Sequence, residues 1–152
     1  MNPADLREEI AVELEAMEIT VNEFLELALL NFGIQSVPDS KAKRLTLLQD
    51  LLMKAHRENR IPALIVDEAH QLSQELLEEI RLLGNFDFNA EKLLQIVMLG
   101  QSELDEKLDR HDLRQFKQRI TVRLSLDPLI PEDVERYIRF RWIKAAGTES
   151  LP

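Results

Sequence analysis

Two short, mostly apolar runs limit how this chain can fold. The first run, residues 63–66, reads Ala-Leu-Ile-Val and ends at Asp67 and Glu68, and the second run covers residues 93–99. An apolar run of about four to eight residues between polar residues predicts a strand that is buried on both faces. Helical patterns lie around both runs, so the sequence predicts an α/β fold with a mostly parallel sheet, in which both runs are central strands.

The remaining segments show the periodicity and end signals of helices. Thr20 and Glu23 form a capping box at the start of the first predicted helix, and Gly33 follows its end. Helices are predicted over residues 21–32, 41–59, 73–83, 102–108, 111–118 and 131–146. Residues 120–126 alternate between apolar and polar side chains, which predicts a half-exposed strand at a sheet edge. Residues 1–19 fit a helix and an alternating edge strand over residues 11–15 equally well.

Composition excludes several classes of protein. The chain has 152 residues, no cysteine and a net charge of −9 at pH 7. The absence of cysteine excludes disulfides and thiolate zinc sites and fits a cytoplasmic protein. A strongly acidic chain is a poor non-specific binder of nucleic acid or of an anionic membrane, so we expect no nucleic-acid partner. No apolar run approaches the roughly 20 residues of a membrane span.

The first apolar run and its two carboxylates form a pattern that is typical of nucleotide hydrolases, the Walker B pattern. A buried strand is rigid, and its carboxyl end is where ligands of α/β folds bind. In this interpretation, Asp67 lies beside the Mg²⁺ of a nucleotide, and Glu68 polarises the water that attacks the γ-phosphate. The alternative is that Asp67 merely ends a strand and Glu68 begins a loop.

The sequence resembles the AAA+ ATPase domain of general secretion pathway protein A (ExeA-like) over about residues 20–147. The matching segments are residues 22–25, 64–70, 76–85, 93–97, 100–104, 113–115, 118–123, 128–129 and 137–139. The most specific are Gly-Gln-x-Glu-Leu at residues 100–104 and Gln-Arg-Ile at residues 118–120. The resemblance implies a three-layer P-loop NTPase fold, with an α/β core over residues 1–130 and the first helix of a helical lid, with a tail, over residues 131–152.

The resemblance also implies roles for residues beyond the Walker B pair. Gln101 is the candidate for sensor 1, the polar residue that contacts the γ-phosphate or the attacking water. Ser102 is its reserve, although a helix cap is the preferred interpretation of Ser102. Arg119 is the candidate for the arginine finger that reaches a neighbouring subunit, and Arg114 is the second candidate. For both arginines the alternative is an ordinary solvated helix face.

Partners and location follow from the same resemblance. ATP and Mg²⁺ are the implied cofactors of a complete protein, and Asp67 is the implied metal-binding residue. Neighbouring ATPase subunits of a homo-oligomer and a membrane protein of the type II secretion system are the implied partners. The implied activity is ATP hydrolysis that helps to assemble the secretion channel, at the cytoplasmic face of the inner membrane.

One element of the family pattern is missing. A P-loop has the form Gly-x-x-x-x-Gly-Lys-Ser/Thr, and its backbone N–H groups surround the phosphates. The glycines are Gly33, Gly84, Gly100 and Gly147, no lysine precedes a serine or threonine, and the later lid arginine (sensor 2) is also missing. We therefore expect the first strand, the P-loop and the first helix to precede residue 1, and the chain alone to bind no nucleotide tightly. The alternative is a non-hydrolysing interaction or scaffold module that keeps the AAA+ fold.

Overall fold

The computed structural model describes residues 9–15 and 19–146, with the backbone alone for residues 9–15 and 146. The chain divides into two compact units, of which the first ends at Ile120 and the second begins at Thr121. The strands are β1 (Glu9–Glu15), β2 (Ile61–Asp67), β3 (Asp87–Phe88), β4 (Glu91–Lys92) and β5 (Gln95–Met98). The helices are α1 (Val21–Asn31), α2 (Lys41–Arg57), α3 (Gln74–Leu83), α4 (Ser102–Leu108), α5 (Arg114–Lys117) and α6 (Pro131–Ala146).

A three-stranded parallel sheet forms the centre of the first unit. Its strand order is β1-β2-β5, so β2 is the central strand, and Asp67 at its end pairs with Glu15 of β1. The predicted parallel α/β arrangement is therefore confirmed. Of the two possibilities for residues 1–19, the strand is found at residues 9–15; residues 1–8 and 16–18 lie outside the described residues.

The sheet departs from prediction at β5. Residues 93–99 were expected to form a central strand, but β5 lies at the edge of the sheet within the described part of the chain, and Val97 and Leu99 are each 45% exposed. Burial of β2 is also one-sided. Pro62, Leu64 and Val66 are buried, whereas the alternate residues are only partly buried. An apolar run shows that a segment can be covered on both faces, but whether it is covered depends on which neighbours are present.

The predicted strand at residues 120–126 is wrong. This segment is not part of a ladder, and Val122, Leu124 and Leu126 are 69%, 84% and 92% exposed. A strand exists only where its backbone N–H and C=O groups pair with a neighbouring strand, and among the described residues no strand pairs with this segment. Alternation of apolar and polar side chains specifies two faces and supplies no partner.

The core of the first unit is built from the apolar faces of its helices packed on the sheet. Its most buried members come from α1, α2, β2 and α3 and include Phe24, Leu29, Leu52, Leu64, Val66, Leu77 and Ile80. The capping box of α1 is present, with the Thr20 hydroxyl accepting from the Glu23 N–H and the Glu23 carboxylate accepting from the Thr20 N–H at 2.7 Å. The hydrogen bonds that the Thr20 N–H and the Thr20 hydroxyl donate to the Glu23 carboxylate hold the pKa of Glu23 below its usual value.

Two charged side chains are buried among residues 19–120 of this unit. Arg44 of α2 is only 6% exposed; its guanidinium donates to the carbonyls of Pro38 and Asn22 and to the Glu26 carboxylate. Glu79 of α3 is 4% exposed and accepts from the Lys41 ammonium at 2.6 Å. A buried charge is stable only where hydrogen-bond partners surround it. Asn22 and Glu26 supply partners for Arg44, and Lys41 supplies one for Glu79, from segments that are distant in the sequence.

A β-hairpin follows α3 in place of a loop. β3 and β4 are antiparallel and are joined by Asn89 and Ala90, which both have positive φ, the geometry of a type I′ turn. Phe88 of β3 makes an edge-to-face contact with the His56 ring, with centroids 5.6 Å apart. The hairpin escapes prediction because the turn lacks the glycine that normally indicates this geometry.

The second unit contains α6, the predicted helix over residues 131–146. Its exposed surface carries apolar side chains that include Tyr137, Ile138 and Phe140. The assignment of residues 131–152 as a lid remains a prediction, as does the boundary at residue 130. No helix in residues 19–146 is both long enough and apolar enough to cross a membrane.

Candidate functional site

The predicted Walker B carboxylates lie at the carboxyl end of the central strand. Asp67 is the last residue of β2, and Glu68 follows it directly. Beyond the end of β5, Leu99 stays beside β2: its N–H donates to the Val66 carbonyl at 2.8 Å, and its carbonyl accepts from the Ala69 N–H at 2.7 Å. The carboxyl ends of β2 and β5 are therefore joined by backbone hydrogen bonds. The segments that follow them lie together at this end of the sheet, its carboxyl edge.

Glu68 has a backbone conformation that is rare for a residue with a side chain. Its φ and ψ are 51° and 33°, the left-handed region, and its N–H donates to Asp67 Oδ1 at 2.8 Å. A left-handed conformation costs an L-residue about 1–2 kcal/mol, and residues held in such conformations cluster at functional sites. The turn sends the chain into a 3₁₀ segment, Ala69–Gln71, and directs Glu68 away from the extended course of β2.

Replacing Glu68 by Gly should raise the free energy of unfolding of the chain by about 0.5–1 kcal/mol, because Gly adopts this conformation without the steric cost of a Cβ atom. Urea unfolding measures the effect. Ala90→Gly, at φ 65°, is the matched positive control, and Asn59→Gly, at φ 57°, should gain less because Asn tolerates this region. A loss of stability at Glu68 alongside a gain at Ala90 would show that the Glu68 side chain stabilises the fold.

Gln101 lies on the same edge of the sheet as Glu68, and His70 contacts both of them. Gln101 is the N-cap of α4 with its side chain exposed and making no capping hydrogen bond. His70 Nδ1 is 3.3 Å from Glu68 Oε2 and 3.5 Å from the Gln101 N–H nitrogen. Ser102 is the first residue of α4 and not its cap, so the preferred interpretation of Ser102 is wrong. His70 was not predicted as a site residue, although it ends the matching segment at residues 64–70 and lies two residues after Glu68.

Two residues hold the His70 backbone close to α4. A Cβ atom on Gly100 would lie 3.2 Å from the His70 backbone nitrogen and 3.1 Å from Leu104 Cδ2, so a side chain there would push these neighbours away by a few tenths of an ångström. The Lys107 ammonium donates to the carbonyls of His70 and Leu72. The loop that carries His70 is thus held against α4 by its close backbone contact with Gly100 and by the two hydrogen bonds from Lys107.

The two candidate arginines lie on and after α5. The predicted helix over residues 111–118 is divided into a 3₁₀ turn, His111–Leu113, and the short helix α5. Arg114 begins α5, and Arg119 follows it with its N–H donating to the carbonyl of buried Phe116 at 2.9 Å. Both arginines are exposed, and among the contacts of the described residues neither joins Glu68, His70 or Gln101.

The carboxylates fit one kind of magnesium site. No group of three His, Asp or Glu side chains that could hold a metal ion is found in the part of the chain that the structure describes. Asp67 is a single carboxylate, and its Oδ1 already accepts from the Glu68 N–H. Mg²⁺ in nucleotide sites keeps several waters and takes only one or two carboxylates together with phosphate oxygens. Asp67 therefore suits a magnesium ion that arrives with a nucleotide and does not form a site of its own.

Comparison with known proteins identifies the family of the chain. The family described as "AAA domain" matches residues 1–108, which is more than half of the chain. The chain belongs to the AAA domain family. The general secretion pathway protein A of Aeromonas hydrophila is 43% identical over 101 residues, 66% of this chain. The resemblance found in the sequence is thereby confirmed, and the AAA domain implies the P-loop NTPase fold with which the parallel sheet agrees.

The extent of these matches differs along the chain. The matched part makes up 18% of the length of general secretion pathway protein A. Within this chain, the family match includes Asp67, Glu68, His70 and Gln101 and ends before Arg119. The family match therefore covers the residues at the carboxyl ends of β2 and β5, and the candidate role of Arg119 stays a prediction from the resemblance.

Proposed function

We propose that this AAA domain carries part of the catalytic site of an ATPase. This ATPase is related to general secretion pathway protein A and hydrolyses ATP to drive assembly of a secretion channel. The observation that carries the proposal is the convergence of Glu68 and Gln101 at the adjacent carboxyl ends of β2 and β5, with Asp67 beside them. Carboxyl ends of parallel strands are where α/β folds bind ligands. Strain at Glu68 supports the proposal, since a residue that only ended a strand would gain nothing from it.

Each of these side chains has a distinct chemical task in the proposal. Asp67 would hold a magnesium ion together with phosphate oxygens, and the ion would supply charge neutralisation of the phosphates. The Glu68 carboxylate accepts a hydrogen bond from the attacking water and orients it toward the γ-phosphate. The Gln101 amide, which is not used as a helix cap, donates to a γ-phosphate oxygen or to the same water. Arg119 serves the site of a neighbouring subunit, in a homo-oligomer that meets a membrane protein of the secretion system at the cytoplasmic face.

In this proposal, phosphate is bound by residues other than these 152, which contain no Gly-x-x-x-x-Gly-Lys-Ser/Thr string. The chain alone should therefore show no binding of Mg-ATP in a calorimetric titration up to about 1 mM, the range in which interactions are worth roughly 4 kcal/mol. Its net charge of −9 adds repulsion toward a triphosphate. Binding at low micromolar ATP would contradict the assignment of phosphate binding to residues beyond these.

The function itself is tested on a polypeptide that carries the chain together with a P-loop, named here the loop-containing polypeptide. This is the natural protein if its intact mass exceeds 17.7 kDa and it carries a P-loop, and otherwise a fusion that places a Gly-x-x-x-x-Gly-Lys-Ser/Thr segment before residue 1. Phosphate release from ATP with Mg²⁺ is the measurement. Turnover by the loop-containing polypeptide and none by the chain alone is the expected result.

A second function is favoured by the missing P-loop alone. In it, the chain is a non-hydrolysing interaction module that keeps the AAA fold. A natural protein of 17.7 kDa, together with a fusion that binds ATP without releasing phosphate, would support the module and overturn the ATPase.

A further inference from the structure

We infer that His70 is a positioning residue for hydrolysis at this site, because its Nδ1 atom holds the Glu68 carboxylate in a fixed place relative to Gln101. The inference rests on the proposed function, since it says what fixes the position of Glu68 relative to Gln101 in the proposed catalytic site. Its basis is one shared atom: His70 Nδ1 lies 3.3 Å from Glu68 Oε2 and 3.5 Å from the Gln101 backbone nitrogen.

A single imidazole nitrogen can serve only one of these partners at a time. With the proton on Nε2, Nδ1 accepts the hydrogen bond of the Gln101 N–H; with a proton on Nδ1, it donates to the Glu68 carboxylate. The first arrangement leaves both Glu68 oxygens available to a water molecule. The second holds Glu68 through Oε2 at a fixed distance from the Gln101 backbone and leaves Oε1 to accept from the attacking water. His70 positions Glu68 in this second arrangement.

The His70 backbone is fixed well enough for this role. Its carbonyl accepts from the Lys107 ammonium of α4, and the preceding Ala69 N–H donates to Leu99. Gly100 allows the His70 backbone nitrogen to approach α4. The His70 side chain is 16% exposed, against 44% for Glu68, so the ring is confined while the carboxylate reaches solvent. Two charged groups contact His70 in the part of the chain that the structure describes: the Glu68 carboxylate lies beside its ring, and the Lys107 ammonium donates to its carbonyl.

A second histidine–glutamate pair in the same unit supplies the control. His56 Nδ1 of α2 is 3.8 Å from Glu91 Oε2 of β4, and its ring packs on Phe88. This pair resembles His70 and Glu68 in composition and partial burial but belongs to the hairpin, away from the carboxyl ends of β2 and β5. A general effect of losing a partly buried imidazole would appear equally at both histidines.

The test compares His70→Asn, His70→Gln and His70→Ala with His56→Asn. An Asn amide places its polar atoms near the position of Nδ1, whereas a Gln amide places them near Nε2. In the loop-containing polypeptide, His70→Ala and His70→Gln should lower kcat about tenfold or more with KM changed less than about twofold, since displacement of a catalytic group by about 1 Å costs up to about 10²-fold. His70→Asn should recover kcat to within about threefold of wild type, and His56→Asn should leave it unchanged.

A second measurement uses the 152-residue chain itself. Hydrogen exchange of the Gln101 amide should be protected in wild type and in His70→Asn, and should accelerate in His70→Gln and His70→Ala. If the wild-type loop-containing polypeptide releases no phosphate, the proposed function fails, and the amide measurement alone decides whether His70 binds Gln101. If wild type is active and kcat is the same for His70→Asn and His70→Gln, the inference is overturned. Should His70→Ala fail to fold, the Asn and Gln variants carry the comparison.

Discussion

Replacing Glu68 by Gln in the loop-containing polypeptide should lower ATP hydrolysis by about 10²–10⁴-fold while leaving nucleotide affinity nearly unchanged. The amide keeps the size of the carboxylate and loses the basic oxygen that orients the attacking water. Affinity should persist because the magnesium-holding carboxylate in the proposal is Asp67. Its Oδ1 accepts from the backbone N–H of Glu68, which the side-chain substitution does not change.

Parallel measurement of ATP affinity and of phosphate release separates the two effects. Glu91→Gln is the matched control, because Glu91 also stands beside a histidine, His56, but lies on the hairpin. Its turnover should equal that of wild type. If Glu68→Gln also turns over near the wild-type rate, then Glu68 is only the residue at which β2 ends, and the ATPase proposal loses its base.

The position of the two carboxylates and of Gln101 could be predicted from the sequence, because the polar residues after an apolar run indicate where a buried strand ends. Asp67 and Glu68 close an apolar run, and Gln101 follows the next one, so a parallel sheet brings them to one edge. His70 could not be predicted in the same way. Its contact with Glu68 depends on the left-handed turn at Glu68, and no pattern of residue types indicates positive φ where the residue is not Gly or Asn.

The errors in the predicted fold have one physical origin. Periodicity is a property of a single segment, whereas strand pairing is a property of two segments. Residues 120–126 have the alternation of an edge strand, yet no strand among the described residues pairs with them. β5 has the composition of a central strand and lies at the edge of the sheet for the same reason. β2 was predicted correctly as central, because β1 and β5 both pair with it.

Buried charges are a further limit of pattern analysis. Arg44 lies off the apolar stripe of α2, and Glu79 belongs to a pair of carboxylates on α3, so both resemble solvated positions in the sequence. Their burial depends on distant partners: the Asn22 carbonyl and the Glu26 carboxylate for Arg44, and the Lys41 ammonium for Glu79. Long-range contacts of this kind are specified by the packed fold and not by the helix that carries the charge.

Replacing Arg119 by Ala should abolish hydrolysis by oligomers of the loop-containing polypeptide while leaving the subunit's own nucleotide affinity nearly intact. A guanidinium is always charged and offers a fork of donors to phosphate oxygens, so it stabilises the charge that develops in the transition state. Arginine fingers that act on a neighbour's γ-phosphate contribute about 10³–10⁵-fold to kcat. The exposure of Arg119 and its anchoring through the buried Phe116 leave its side chain available to a second subunit.

Mixing variants identifies a finger that acts between subunits. Arg119→Ala and Glu68→Gln proteins, each inactive alone, should recover part of the activity when mixed, because some interfaces then combine an intact Glu68 with an intact Arg119. An ordinary solvated charge would change the free energy of unfolding by no more than about 1 kcal/mol and leave turnover unchanged. Arg114→Ala is the control at the start of α5. Loss of turnover at Arg114 and not at Arg119 would move the finger to the beginning of that helix, and loss at both with no recovery on mixing would assign the arginines to the stability of α5 within a single subunit.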